Sequence, residues 1–162
     1  MLQYVEASEQ DLDRMLDVYN HYIENTSILF DDRPVSLEEF STWVYIKHNI
    51  YKTFLIQQDN EFYGFCFLTR FRKKRAYDKT AEVGIYLRPD FTRKGLGQEI
   101  LSYLEAIARE QGIEVLIASI SGENVASLSL FRKLGYEQCA HYKKVAEKFG
   151  RKMDLVEFQK IL

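Results

Sequence analysis

Disulfides are the first thing this chain cannot lean on: it has two cysteines in 162 residues, Cys66 and Cys139, at no metal-like or redox spacing. Free thiols in a reducing cytoplasm are the expectation, and no metal is expected. The three histidines, His21, His48 and His141, show no ligand spacing either and read as ordinary surface residues of helices or strands. No apolar run approaches the about 20 residues needed to span a bilayer. Met1-Leu2-Gln3-Tyr4 has no basic flank followed by an apolar stretch, so no secretory leader is indicated. Neither charge dominates: 22 Lys and Arg face 24 Asp and Glu, for a net charge of −2. That balance argues against a general nucleic-acid binder. Prolines number two, and no repeat, linker or low-complexity tract breaks the chain. A single domain over residues 1–162, in the cytoplasm and off the membrane, is the expectation.

What the chain does have is aromatic and apolar side chains, 14% and 46%, set in clear periodicities. Leu2 to Ala7 reads as a first strand, and Ser8 caps a helix with Leu12, Met15, Leu16, Tyr19, Tyr22 and Ile23 on one face. Ser36-Leu37-Glu38-Glu39 is a capping box that predicts a second helix, with Phe40, Trp43, Val44 and Ile46 turned to a core. Thr53 to Gln57 and Phe62 to Phe71 flank the turn signal Asp59-Asn60 as a hairpin, and Thr80 to Leu87 forms the next strand. A helix follows Gly95 and closes at Gln111-Gly112. Beyond it come a strand over Glu114 to Ile120, buried on both faces, and a short helix from Asn124 to Lys133 stopped by Gly135. Tyr136 to Val145 and Arg151 to Phe158 are the last two strands. The order β-α-α-β-β-β-α-β-α-β-β defines a mixed α/β layer structure.

The most informative stretch is Arg88 to Gln98. A strand, a basic loop with Gly95 and Gly97, then a helix N-terminus is a receptor for phosphate: free backbone N–H groups and the helix dipole meet the anion, and Arg93 and Lys94 add charge. A diphosphate-bearing cofactor is the expected ligand.

Tyr86-Leu87-Arg88-Pro89-Asp90 followed by Arg93-Lys94-Gly95-Leu96-Gly97 resembles the acetyl-CoA loop of the GNAT N-acetyltransferases. Asn124 to Tyr136 looks like the second signature of that superfamily. Tyr19-Asn20-His21-Tyr22, Phe30, Pro34, Ser36 and Trp43 are similar to the N-terminal half of phosphinothricin and methionine sulfoximine or sulfone acetyltransferases. Ala76 to Glu82 and Lys148 to Leu155 extend that similarity over nearly the whole chain. The resemblance implies an α+β mixed sheet whose strands ending at Leu87 and Ile120 run parallel and splay around the CoA arm. It implies acetyl-CoA as cosubstrate, held by Ile85, Tyr86, Leu87, Arg93, Lys94, Gly95, Leu96, Gly97, Gln98, Asn124, Phe131 and Lys133, with Arg132 in reach of the 3′-phosphate. It also implies a homodimer, and a small primary amine as the acceptor.

Acetyl transfer to an amine needs a base, because the amine is mostly protonated at neutral pH. Glu82 matches the family's base, and partial burial would raise its pKa usefully; the plain alternative is a solvent-facing strand residue. The Leu87 N–H is the expected oxyanion donor. Where the family offers the departing thiolate a Tyr or His, this chain has Phe131, so water, Tyr136, Tyr142 or no group at all serves. Thr92 stands where Gln or Arg usually opens the loop, and Lys79 replaces an aromatic residue on the substrate side. Phe30 is expected to wall the acceptor, with Asp31 attracting its amine, and Lys74, Arg75 and Tyr77 to hold its anionic group. The remaining alternatives are another acceptor (a polyamine, an antibiotic or a protein N-terminus) and a non-catalytic acyl-CoA sensor.

Overall fold

The computed structural model describes residues 1–92 and 94–162; Arg93, expected in the phosphate loop, lies outside the described residues. Seven strands make one sheet: β1 (Gln3–Glu6), β2 (Lys52–Gln58), β3 (Glu61–Arg70), β4 (Thr80–Leu87), β5 (Val115–Ser121), β6 (Glu137–Lys148) and β7 (Arg151–Ile161). Their order is β1-β2-β3-β4-β5-β7-β6, with β4 and β5 parallel and the other neighbours antiparallel. The helices are α1 (Leu12–Asn25), α2 (Leu37–Ser41), α3 (Leu96–Glu110) and α4 (Val125–Lys133). The element order matches the sequence reading, and β4 has the expected bounds.

The sheet is covered on both faces. Ile100, Leu101, Leu104 and Ala108 of α3 are fully buried against Ala81, Val83, Leu116, Ala118 and Ile120. Each of those larger side chains contributes about 1.5–3 kcal/mol of transfer free energy. On the opposite face, Met15, Tyr19 and Ile23 of α1 and Phe40 of α2 pack on Leu55, Phe65 and Phe67. Alternation along β4 therefore sends Ala81 and Val83 toward α3, and Glu82, Gly84 and Tyr86 toward α1.

The hairpin turn forms as the sequence predicts, with Asp59 at φ 52° and Asn60 at φ 65°. The α2 capping box forms too: the Glu39 N–H donates to Ser36 Oγ at 3.1 Å, and the Ser36 N–H donates to Glu39 Oε2 at 2.8 Å. The helix nevertheless stops after five residues. Val44 reaches the core, and Trp43 and Ile46 pack on it, from turns beyond the helix end. Lys47 at φ 54° reverses the chain there, and His48 Nδ1 accepts the N–H groups of both Ile50 and Tyr51 at 3.1 Å. Local turn chemistry overrides the helical spacing.

Gly84 is fixed by its cross-strand partner Phe67: a Cβ there would lie 2.1 Å from the ring. Gly84→Ala overpacks this contact and is expected to lower stability by about 1–3 kcal/mol, read in urea unfolding.

Candidate active site

The pairing of the central strands makes the site. The β4–β5 ladder runs through Thr80↔Val115, Ala81↔Leu116 and Glu82↔Ile117, where it ends. Beyond it β3 holds β4 as far as Leu87, and β7 holds β5 as far as Ser121, so the two strands part. The Arg88 N–H donates to Tyr63 O at 2.8 Å. In an antiparallel ladder, the N–H and C=O groups of Glu82, Gly84 and Tyr86 then point to β3, while those of Val83, Ile85 and Leu87 face the gap. This is the edge that an extended amide chain can join as a further strand.

The gap opens into a groove of about 910 Å³. Its floor is the Val83–Leu87 edge, its far wall Ala118 to Ser121, and its end the start of α3. Gly95 caps α3 in the left-handed region at φ 76°, and Gly95, Leu96, Gly97 and Gln98 all line the groove. A Cβ on Gly97 would sit 2.7 Å from the Leu130 side chain, so this glycine lets the first turn of α3 close on α4. The N-terminus of a 15-residue helix faces the groove beside a free strand edge; a diphosphate joined to an arm of amides suits both.

Other expected groove residues divide. Ile85, Tyr86, Leu87, Phe131 and Lys133 line it. Asn124 lines it as well, but its Oδ1 accepts the Ser127 N–H at 3.2 Å as the N-cap of α4; the side-chain amide NH₂ is its end left for a ligand. Lys94 is exposed, does not line the groove, and rests its ammonium 4.9 Å from the Phe91 ring centre. Arg132 pairs instead with Gln138 and lies over the Phe158 ring, outside the lining.

A second cavity of about 370 Å³ lies on the α1 side of β4 and shares Ile28, Leu29, Tyr86, Ser119 and Ser121 with the groove, so the two spaces meet. Tyr19, Phe30, Trp43, Phe67 and Tyr86 give it aromatic walls, with Glu82 and Arg70 as its charged members. Burial holds the Glu82 carboxyl above its ordinary pKa; Glu157 adds to the rise, and the Ser119 hydroxyl and Arg72 partly oppose it. Asp31 accepts the Tyr19 hydroxyl at 3.3 Å. The arrangement sets a raised carboxylate beside the junction of a groove and a small aromatic cavity.

Three residues expected around the acceptor are elsewhere. Lys74, Arg75 and Tyr77 lie on an exposed turn before β4, outside the lining of this cavity, where Tyr77 packs edge-on to Phe71. Arg70 also reaches the lining of the cavity, but it pairs with Ala81, whose side chain faces α3, and its guanidinium meets Asp78 at 3.5 Å and lies over the Tyr51 ring. Lys79 forms an exposed ion pair with Glu114. Tyr136 is buried against Phe131, and Tyr142 sits on exposed β6 with its hydroxyl toward Glu157; neither lines the groove. His141 pairs with Asp154, and His48 caps a turn, but His21 belongs to the groove lining.

The sequence reading gave no role to Lys148, the last residue of β6. Its side chain is 4% exposed, and its Nζ donates to Ile23 O at 2.6 Å and Leu29 O at 2.8 Å. It ties the last turn of α1 to the loop that walls both cavities. Burial pushes its pKa down, against the pull of Asp31 and Asp32.

A splayed parallel pair with a glycine-capped helix at its mouth and a buried strand carboxylate beside it define an acyl-CoA N-acyltransferase architecture. The family model of the acetyltransferase (GNAT) domain matches residues 5–156, and the chain belongs to that family. It is 33% identical over 156 residues to the L-methionine sulfoximine/L-methionine sulfone acetyltransferase of Pseudomonas paraeruginosa, covering 95% of this chain and 91% of that protein. Among solved structures, the phosphinothricin acetyltransferase of Sinorhizobium meliloti in complex with acetyl-CoA superposes with a TM-score of 0.89 at 29% identity, covering 100% of this chain and 88% of that one. The ribosomal-protein-alanine N-acetyltransferase of Brucella melitensis superposes with a TM-score of 0.87 at 31% identity, covering 100% and 99%. No helix among the described residues is long and apolar enough to cross a membrane, and no group of three or more metal-ligating side chains occurs among them.

Proposed function

We propose that this protein transfers acetyl from acetyl-CoA to the amine of a small amino-acid-like acceptor of the methionine sulfone, methionine sulfoximine or phosphinothricin type, directly within a ternary complex. The observation that carries the reading is Glu82: a carboxylate with a raised pKa in an aromatic cavity that opens onto the groove. The names of the Pseudomonas and Sinorhizobium relatives supply the acceptor class, and the acetyl-CoA in the latter supplies the donor.

In this reading the Ile85 and Leu87 backbone edge holds the arm of the donor, the loop from Gly95 to Gln98 takes the diphosphate, and the Asn124 amide steadies the arm from the far wall. Glu82 accepts the proton of the acceptor's ammonium, and the aromatic walls favour that cation before it is deprotonated. The Leu87 N–H faces the oxygen that gains charge when nitrogen attacks the acetyl carbonyl. Neither cysteine lines the groove or the cavity, which supports direct transfer rather than an acetyl-enzyme. The protein acts as one domain over residues 1–162, in the cytoplasm, as a homodimer. The exposed Tyr142, Val145 and Phe149 of β6 and its turn support association, and sedimentation at twice the 19.2 kDa chain mass checks it.

A second reading, transfer to a protein N-terminus, is favoured by the Brucella neighbour. Release of CoA thiol across methionine sulfone, methionine sulfoximine, phosphinothricin, methionine, a polyamine and an alanine-leading peptide separates the two. Turnover on the first three is expected. Tight CoA binding with no turnover on any amine overturns the enzyme reading.

A further inference from the structure

We propose that Tyr22 is the catalytic acid that delivers a proton to the departing CoA thiolate. The inference rests on the acetyl-transfer reading and assigns a step which that reading leaves without a residue. A thiolate leaving group is best released onto a proton, and Phe131, on the α4 side of the groove, has none to give. The titratable groups in the groove lining are His21, Tyr22, Tyr86, Glu123 and Lys133.

Four of these are engaged or turned away. Arg151 holds Glu123 ionised through two hydrogen bonds, at 3.1 and 2.8 Å, and keeps its pKa down at about 2. Lys133 sits in the last turn of α4, on the wall of the groove across from the strand edge where the thioester is held. Tyr86 belongs to the β4 face that packs on α1, with its ring among Tyr19, Phe65 and Phe67. His21 is the neighbour of Tyr22 on α1, turned about 100° away from it around the helix.

Tyr22 is different because its hydroxyl touches the reacting edge. It donates to Leu87 O at 2.5 Å. In extended backbone the N–H and C=O of one residue point the same way, so this phenol lies on the same side of β4 as the Leu87 N–H assigned to the oxyanion. The donor's carbonyl oxygen and its sulfur are separated by one carbon. A group at Leu87 O is thus within reach of sulfur when oxygen is at Leu87 N–H. Burial raises the Tyr22 pKa, so the hydroxyl is protonated throughout the working range. An ordinary phenol titrates about 1.5 units above an ordinary thiol, near 10 against 8.5, and burial widens that gap for Tyr22, so its proton moves as the carbon–sulfur bond breaks and the acetylated nitrogen recharges the phenolate.

The step balances as follows. Glu82 takes one proton from the ammonium, the neutral nitrogen bonds to the acetyl carbon, and the carbon–sulfur bond breaks with its electron pair on sulfur. The Tyr22 hydroxyl gives its proton to sulfur, and the phenolate is recharged by the proton that the acetylated nitrogen sheds. Glu82 passes its proton to solvent, leaving amide, CoA thiol and one released proton.

Tyr22→Phe keeps the ring and removes only the donor. With acetyl-CoA and the best acceptor of the panel, kcat is expected to fall about 100-fold, the range of general-acid catalysis. The Michaelis constants for acetyl-CoA and acceptor stay within twofold, and the solvent deuterium isotope effect on kcat is lost. Returning a hydroxyl from the opposite wall, in Tyr22→Phe with Phe131→Tyr, recovers part of kcat; Glu24→Gln, exposed on α1 and outside the lining of both cavities, leaves kcat unchanged. If Tyr22→Phe stays within twofold of wild type in kcat and isotope effect, or if its loss is wholly in the Michaelis constant for acetyl-CoA, the assignment is overturned while the acetyltransferase reading stands. Wild-type protein that releases no thiol with any amine overturns both.

Discussion

Glu82→Gln is expected to lose 10²- to 10⁴-fold in kcat/KM for the acceptor amine, roughly the whole contribution of a positioned base, while its affinity for CoA is unchanged. Glutamine keeps the shape and a hydrogen-bonding end but cannot take the ammonium's proton. Glu82 lines the acceptor cavity and not the groove, so CoA binding has no reason to move. The pH dependence follows from the raised pKa. The wild-type rate rises as Glu82 ionises, with its midpoint above the about 4.3 of an ordinary glutamate, and the variant lacks that limb.

Stability moves the other way. In the window between the ordinary glutamate pKa and the raised one, the folded state binds more protons than the unfolded state, so the contribution of Glu82 to stability is present below the window and lost as pH rises through it. Glutamine carries no such loss. The variant should therefore melt higher than wild type at pH 8, with the difference shrinking toward pH 4. Equal turnover in the variant at every pH would remove Glu82 from the mechanism. Equal melting curves would mean that the carboxylate is not strained by burial.

Most of the frame was readable because its signals are local. β4 is bounded by Thr80 and Leu87 because Pro89 stops it, α3 opens at Gly95 because a left-handed φ there suits glycine, and Asn124 caps α4 through its own side chain. The turn from Gly95 into α3 and the place of Glu82 on β4 were readable for the same reason, being fixed by a strand and the helix that follows it. The acceptor side was not, because its geometry depends on the pairing register. The basic run from Arg70 to Arg75 reads as one feature in the sequence. Only the ladder shows that Arg70 ends opposite Ala81, with its guanidinium at Asp78 and Tyr51, while Lys74 and Arg75 stay on an exposed turn. Tyr22 was visible as an apolar position of α1 and as part of a resembling segment, with no role of its own; its hydroxyl meets Leu87 O across 65 residues of chain. The apolar spacing after Phe40 predicted a longer α2, but the helix ends at Ser41 and the chain continues through turns at Lys47 and His48 that a helical periodicity does not register.

Lys148 is the furthest case, reaching carbonyls 125 and 119 residues away, and its removal is expected to have the second large effect. Ile23 O belongs to the last turn of α1, where carbonyls lack helical partners and a cation is favoured by the helix dipole. Leu29 O belongs to the loop whose Ile28 and Leu29 wall both cavities. Lys148→Met keeps the length of the stem and leaves both oxygens without their donor, at a cost of about 1–3 kcal/mol for a buried unpaired group. Loss of the buried charge offsets part of this.

Because burial lowers the Lys148 pKa in the folded state, the unfolded state binds more protons between that lowered value and the ordinary about 10.4. Wild-type stability gains from this group as pH rises through the window, and the methionine variant does not. Its deficit in urea unfolding should thus be larger at pH 10 than at pH 7. In the assay, an untied loop loosens the walls around Phe30, so the Michaelis constant for the acceptor should rise about tenfold, equivalent to 1.4 kcal/mol of binding, with kcat much less affected, since Glu82 and Tyr22 stand on β4 and α1 rather than on the loop. A variant with normal acceptor affinity and a normal urea midpoint would reduce Lys148 to a bystander. A loss confined to kcat would point to α1 itself, and to the Tyr22 hydroxyl it carries, as the part that Lys148 holds in place.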